Sequence, residues 1–109
     1  MNREQFLAID DIEIKEIEVK NYGKMKIKTL SAIDQAELSR FQKSTTCETR
    51  LAAFIITLGV VDDDGTPFLT ADDVEMLIKK NAGTVEKIAN EIIKLSGISE
   101  DEVLEAEKN

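Results

Sequence analysis

The stretch VVDDDGTPFLTADDV, from Val60 to Val74, sets five aspartates around one glycine and one proline. That density of carboxylates invites the chemistry of a hard cation. A calcium loop of the EF-hand kind needs glycine at its sixth position, a bidentate glutamate at its twelfth, and oxygen ligands at the first, third and fifth. With Gly65 at the sixth position, Asp62 and Asp64 fall on the third and fifth, but Val60 and Ala71 occupy the first and twelfth without a side-chain oxygen. Starting at Asp62 instead puts Pro67 where the glycine belongs. No metal ligand is therefore assigned, and DDDGTP reads as a turn in which aspartates accept local backbone hydrogen bonds and Gly65 supplies a positive φ. A helix start follows, with Thr70 as cap, Asp72 and Asp73 at the positive end of the helix dipole, and Leu69 placed to staple onto Val74.

The remaining candidates for chemistry are few. The chain has no histidine and a single cysteine, Cys47, which removes zinc centres built on those ligands, an internal disulfide, and Ser-His or Cys-His catalysis. Cys47 sits where a helix could begin and reads as a small packing residue. Carboxylates are plentiful but lie in first helical turns and on polar faces, so no acid pair is singled out. The residues thus point to a protein that is not an enzyme and takes no cofactor.

Charge narrows the partners. The net charge of −8 is carried by the second half: residues 1–50 hold nine basic and nine acidic side chains, residues 51–109 five and thirteen. Phosphate backbones would be repelled, and no basic stripe interleaved with aromatics is present, so nucleic acid is not an expected partner. The longest apolar run, LAAFIITLGVV from Leu51 to Val61, is too short for the roughly 20 residues that span a bilayer. MNREQFLAIDDIEI has acids where a secretory leader would be apolar. A cytosolic protein that meets other proteins is the expectation.

The elements that would carry such a function can be read from periodicity. At 109 residues the chain is one domain, with an arm and β-hairpin over 1–30 and a helical bundle over 31–109. Phe6 to Ile9 form an apolar patch, as a short helix or a loose arm. Ile17, Val19, Met25 and Ile27 share one face of a hairpin closed by NYG with Gly23 left-handed. Val19 opposite Met25 and Ile17 opposite Ile27 would set Glu18 across from Lys26 and Glu16 across from Lys28. Ile12 and Ile14 lie in the opposite phase, predicting a bulge or break near Lys15. Ser31 caps a helix to about Lys43, with Asp34 three residues on. A second helix runs from Cys47 to Leu58 and stops at Gly59; its LAAFIIT is apolar nearly all round, as a central helix is. A third spans Ala71 to about Lys80 and is broken by NAG. A fourth spans Thr84 to Leu95, burying Val85, Ile88, Ala89, Ile92 and Leu95. After SG, Ser99 and Glu102 form a capping box for a last short helix, with Ile98 and Val103 as staple. The predicted fold class is α+β, a short N-terminal β-hairpin followed by a bundle of four to five short helices.

The order of these pieces resembles one family. A strand leading into TLSA and a helix, an apolar helix ending at VDDDG, the helix start FLTADDV, the segment IANEI, and the close LSGISEDEV running into EKN resemble the tail assembly chaperones of long-tailed bacteriophages and prophages. The likeness covers Lys28 onward. It implies a non-enzymatic factor made in the host bacterial cytoplasm and absent from the mature virion. Such chaperones coat the long, aggregation-prone tape measure protein, keep it soluble and help recruit tail tube protein. They tend to self-associate, and many are also made in a longer, frameshifted form, to which the charged EAEKN is suited. The apolar contact is expected on the last two helices and their junction, through Leu95, Ile98, Val103 and Leu104, with Glu100 and Glu105 in a solubilising rim. The competing role for those four apolar residues is closure of the core. Two other classes fit a small acidic chain: a minor structural tail protein of the virion, or a small helical regulator.

Overall fold

The computed structural model describes residues 1–98. Its elements in chain order are α1 (Arg3–Ala8), β1 (Ile14–Val19), β2 (Gly23–Lys28), α2 (Ala32–Ser44), α3 (Glu48–Gly59), β3 (Val60–Val61), α4 (Val74–Leu77, led by a 3-10 turn over Ala71–Asp73) and α5 (Ala82–Leu95). The architecture is α+β: a hairpin near the N-terminus followed by helices, with the three strands in the order β1-β2-β3, antiparallel throughout. The last helix expected from Ser99 and Glu102 lies outside the described residues.

Strand alternation places Ile17, Val19 and Ile27 in the core. The hairpin is tighter than its sequence suggests, because Val19 pairs with Gly23 and Ile17 with Met25, two residues from the expected register. A shift of two keeps every side chain on its predicted face, so the hydrophobic pattern cannot distinguish the two registers. The turn decides between them. Tyr22 N–H donates to the Val19 carbonyl at 3.0 Å, and both Asn21 and Gly23 take positive φ, 73° and 76°, conformations that asparagine and glycine tolerate best. The cross-strand charge pairs are consequently Glu16 with Lys26 and Glu18 with Lys24. No bulge interrupts Lys15: β1 pairs regularly from Ile14, whose side chain lies on the outer face beside Gly65. Lys15, on the inner face, reaches past the core to Glu91 at 3.7 Å.

α3 is the centre of the molecule. Seven of its residues, Leu51, Ala53, Phe54, Ile55, Ile56, Thr57 and Gly59, are buried, so packing surrounds it as its composition requires. The helix ends at Gly59, as its sequence predicts, but without a left-handed stop, since Gly59 is the last helical residue and has no positive φ. Its function is room. A Cβ there would lie 2.6 Å from Ile92 Cγ2 and 2.7 Å from Ile92 Cδ1, so α3 and α5 meet with nothing but hydrogen between backbone and side chain. The chain then turns straight into Val60 and Val61, which pair with Ile27 and Lys26. This third strand, to which the sequence reading gives no element, joins the hairpin and the helices into one structure.

Helix caps follow the sequence closely. Ser31 Oγ accepts from Asp34 N–H at 3.2 Å and Asp34 Oδ2 accepts from Ser31 N–H at 3.0 Å. Asn81 accepts from Thr84 N–H at 3.1 Å, so NAG opens α5 at Ala82 and does not merely separate two helices. The α4 helix is a single turn and not the ten-residue helix expected over Ala71 to Lys80; Asp73 accepts from Thr70 N–H at 2.7 Å, which supports the 3-10 entry. α5 ends with Gly97 left-handed at φ 72°, Gly97 N–H donating to Lys94 O and Ile98 N–H to Ile93 O, the double bond of a Schellman close. Ser96 accepts from Leu30 N–H at 2.8 Å and donates to Ile92 O at 2.7 Å, tying this helix end to the β2–α2 junction.

Two outcomes test this packing. Gly59→Ala is expected to cost about 1–3 kcal/mol by forcing α3 and α5 apart, read by denaturant unfolding. Ile92→Ala should cost less in that background than in the wild type, since the clashing group is gone. The second concerns Asp34, half buried beside Lys28. Burial raises its pKa, but the hydrogen bonds from Lys28 and Ser31 and the Lys28 charge outweigh this and leave it below the usual value. Its contribution is therefore complete above about pH 3.9 and lost as pH falls through the lower folded value. Asp34→Asn should lower stability by about 1 kcal/mol at neutral pH, and the gap from wild type should close in melts made at strongly acid pH.

Candidate functional site

The aspartate-rich loop is built as a turn. Asp62 Oδ1 accepts from Asp64 N–H at 2.9 Å and from Thr66 N–H at 3.0 Å, while Asp62 N–H donates to Thr66 O at 2.9 Å and Gly65 takes φ 81°. Asp63 faces Lys26 at 3.7 Å. The Asp62 carboxylate is spent on main chain and that of Asp63 faces a lysine, and no group of three or more metal-ligating side chains converges among the described residues.

A cleft of about 380 Å³ lies between α3 and α5. Its apolar wall comes from Leu51, Ala52 and Ile55 on one helix and Val85, Ala89 and Ile93 on the other. Glu48 and Glu86 stand exposed among its lining residues, with Ile78 and Lys80 from the α4–α5 connection. The cleft exists because the helices touch at Gly59 and Ile92, near their C-terminal ends, while alanines at 52, 82 and 89 leave space nearer their N-termini. A trough lined by two helices and apolar along its floor suits the apolar stripe of a third helix.

Of the residues singled out from sequence, Leu95 and Ile98 are described. Both are partly buried and packed against the core cluster, with Ile98 held by the bond to Ile93; the core-closing role accounts for what the structure shows of them. Val103, Leu104, Glu100 and Glu105 lie outside the described residues. The cleft residues Ala52, Ile55, Ala82 and Ile93 were not singled out. The available signal was excess: α3 carries more apolar surface than one buried face needs, and α5 buries Ile93 in addition to its main stripe.

Cys47 caps α3 without a side-chain hydrogen bond. Its pKa is nonetheless lowered, first by the backbone N–H of Arg50, then by that of Thr49 and by the Arg50 guanidinium, against an opposing desolvation. Arg50 itself is engaged with Glu75 through Nε to Oε1 at 3.0 Å and Nη2 to Oε2 at 3.1 Å, which lashes α3 to α4. That contact lowers the Glu75 pKa.

Compared with known proteins, the chain matches no family model, no curated protein and no solved structure. No helix among the described residues is long and apolar enough to cross a membrane.

The helix-start environment of Cys47 predicts its reactivity. Alkylation by iodoacetamide, followed against pH by mass spectrometry, should show a midpoint below that of an unstructured cysteine, about 8.5. Unfolding in denaturant should return the midpoint to that value.

Proposed function

We propose that this protein is a phage tail assembly chaperone: it binds the tape measure protein, keeps that long helical protein soluble, and helps bring tail tube subunits to it. The observation that carries the reading is the apolar α3–α5 cleft, a surface shaped for an amphipathic helix on a chain that is otherwise strongly acidic. The order of motifs from Lys28 onward supports the family assignment. On this reading the cleft supplies reversible apolar contact with a client helix, and the excess carboxylates keep the complex soluble and discourage non-specific association. The resemblance adds to this contact Leu95, Ile98, Val103 and Leu104, with Glu100 and Glu105 as a rim; of these, Leu95 and Ile98 would take part only through the surface their packing against the core leaves exposed. The protein acts without a cofactor in the host bacterial cytoplasm and is left out of the finished particle.

Function is tested by co-expression with the large, helix-rich protein encoded beside it. The client is expected to become soluble and to co-purify. Ala52→Arg, which fills the cleft floor, should remove most of the recovered client while the thermal unfolding of the variant remains cooperative. Ile98→Asp should weaken recovery less than Ala52→Arg. A client that stays insoluble in the presence of wild-type protein would sink the proposal, and detection of this chain in purified virions would favour a structural tail component instead.

A further inference from the structure

Among the described residues, α1 and the residue after it form an apolar surface that nothing covers: Phe6 is 66%, Leu7 61% and Ile9 56% exposed. None of the residues of α1 is buried, and none belongs to the core or packs against it. Yet the segment is fully formed, with Asn2 Oδ1 accepting from Gln5 N–H at 2.8 Å and Gln5 Oε1 accepting from Asn2 N–H at 3.0 Å. Six residues are far fewer than an isolated helix needs in water, so a helix of this length depends on a surface to pack against.

One further part of the chain starts beside it. The arm leaves the body at Glu13, whose carbonyl accepts from Thr29 N–H at 2.9 Å and whose N–H donates to Thr29 Oγ1 at 3.1 Å. The end of α5 is fastened to the next residue, Leu30 N–H donating to Ser96 Oγ at 2.8 Å. The Schellman close then carries the chain to Ile98, which is partly buried against the core. Arm and C-terminal segment therefore start from neighbouring anchors, Thr29 and Leu30, at the base of the hairpin. Ile9 lies on the order of 13 Å from Glu13 at full extension, and the bond from Ile12 N–H to Asp10 Oδ1 at 3.1 Å shortens that path. Val103 lies about 7 Å beyond Ile98 along a helix, or about 17 Å along an extended chain. The two sets of apolar residues thus reach to similar distances from a shared anchor.

We propose that the C-terminal segment, residues 99–109, covers the arm of its own chain, laying Val103 and Leu104 against Phe6, Leu7 and Ile9. The segment lies outside the described residues, and its sequence supplies the match: Val103 and Leu104 are its only large apolar side chains. On the arm, Phe6 and Ile9 lie three residues apart and share one side, with Leu7 adjacent. Asp10 and Asp11 on the arm and Glu100, Asp101 and Glu102 on the segment do not attract one another, so the contact is apolar. Few side chains suffice, because a short tether holds the two segments at an effective concentration on the order of millimolar. This inference does not rest on the proposed activity. It adds a step to it: in the free chain the arm engages Val103 and Leu104, so a client reaches them only by displacing it.

Hydrogen–deuterium exchange of the full chain, read by mass spectrometry of proteolytic peptides, tests the contact. In wild-type protein the amides of Phe6 to Ile9 should exchange more slowly than in the unfolded chain. That protection should be the same over roughly a tenfold range of protein concentration, because the covering segment is tethered. Val103→Asp/Leu104→Asp should speed exchange in α1 by roughly tenfold while the amides of α3 keep their wild-type rates. Val103→Ile/Leu104→Ile should leave α1 at its wild-type rate. Reciprocally, Phe6→Asp/Leu7→Asp should speed exchange over residues 100–109. The proposal is overturned if α1 of wild-type protein exchanges at the unfolded rate, or if either aspartate pair leaves the opposite segment unchanged. It is equally overturned if protection of α1 rises with protein concentration, for then a second copy supplies the cover.

Discussion

At Gly59 the backbone of α3 lies against the side chain of Ile92 with no space for a methyl group, and the rest of the molecule is arranged around that contact. It brings the C-terminal ends of two helices together, and both residues are buried. From there α3 passes directly into β3, which completes the sheet on β2, while α5 passes to Ser96, whose hydroxyl satisfies Leu30 N–H at the end of the hairpin. Sheet, central helix and final helix are thus fastened at one end of the molecule. Toward the other end, alanines on the two helices permit a cleft. Close approach and open space are therefore parts of one design of side-chain size along α3 and α5: glycine where the helices must meet, and alanine where the edge of the core stays partly open.

Charged residues organise the surface without entering this core. Lys28 and Asp34 join the end of β2 to the first turn of α2, and the acid also completes the cap of that helix. Lys15 and Glu91 close the rim where the sheet meets α5. Arg50 and Glu75 hold α4 to α3 with both ends of a guanidinium fork. These contacts are short-range and local, and most are exposed, so each contributes modestly to stability; their consequence is geometric, in that they orient elements whose apolar faces do the stabilising. The cleft escapes this arrangement. Its floor is the edge of the core, with Ala52 partly open and Glu48 and Glu86 exposed beside it.

How much of this could be read from the chain varied with the range of the interaction. Capping is decided within four residues, so Ser31 with Asp34, and Gly97 after α5, were legible as spacing alone. Hairpin faces were legible for the same reason, since alternation needs only neighbours. The hairpin register was not: a two-residue slip keeps every face, and the choice rests on Asn21 adopting a positive φ. The apolar run from Leu51 to Val61 signalled burial but not that its last two residues would join the sheet, because a short apolar pair has no periodicity to show. Gly59 ends the helix as the sequence predicts, but for a different physical reason. A glycine after an apolar helix is commonly its left-handed stop, whereas here its value lies in what stands opposite, and Ile92 is 33 positions away in sequence.

By itself the sequence determined the α+β character, the caps, the buried stripe of α5, and the weakness of any case for histidine-based chemistry or a calcium loop, because each depends on residue type or on spacing within one element. Only the tertiary structure decided where α3 and α5 touch, that β3 exists, and which apolar residues remain open to a partner. Those outcomes depend on surfaces brought together across the whole chain. The exposed arm residues Phe6, Leu7 and Ile9 are apolar like the core, and periodicity can say that a side chain avoids water but not whether its own chain has covered it.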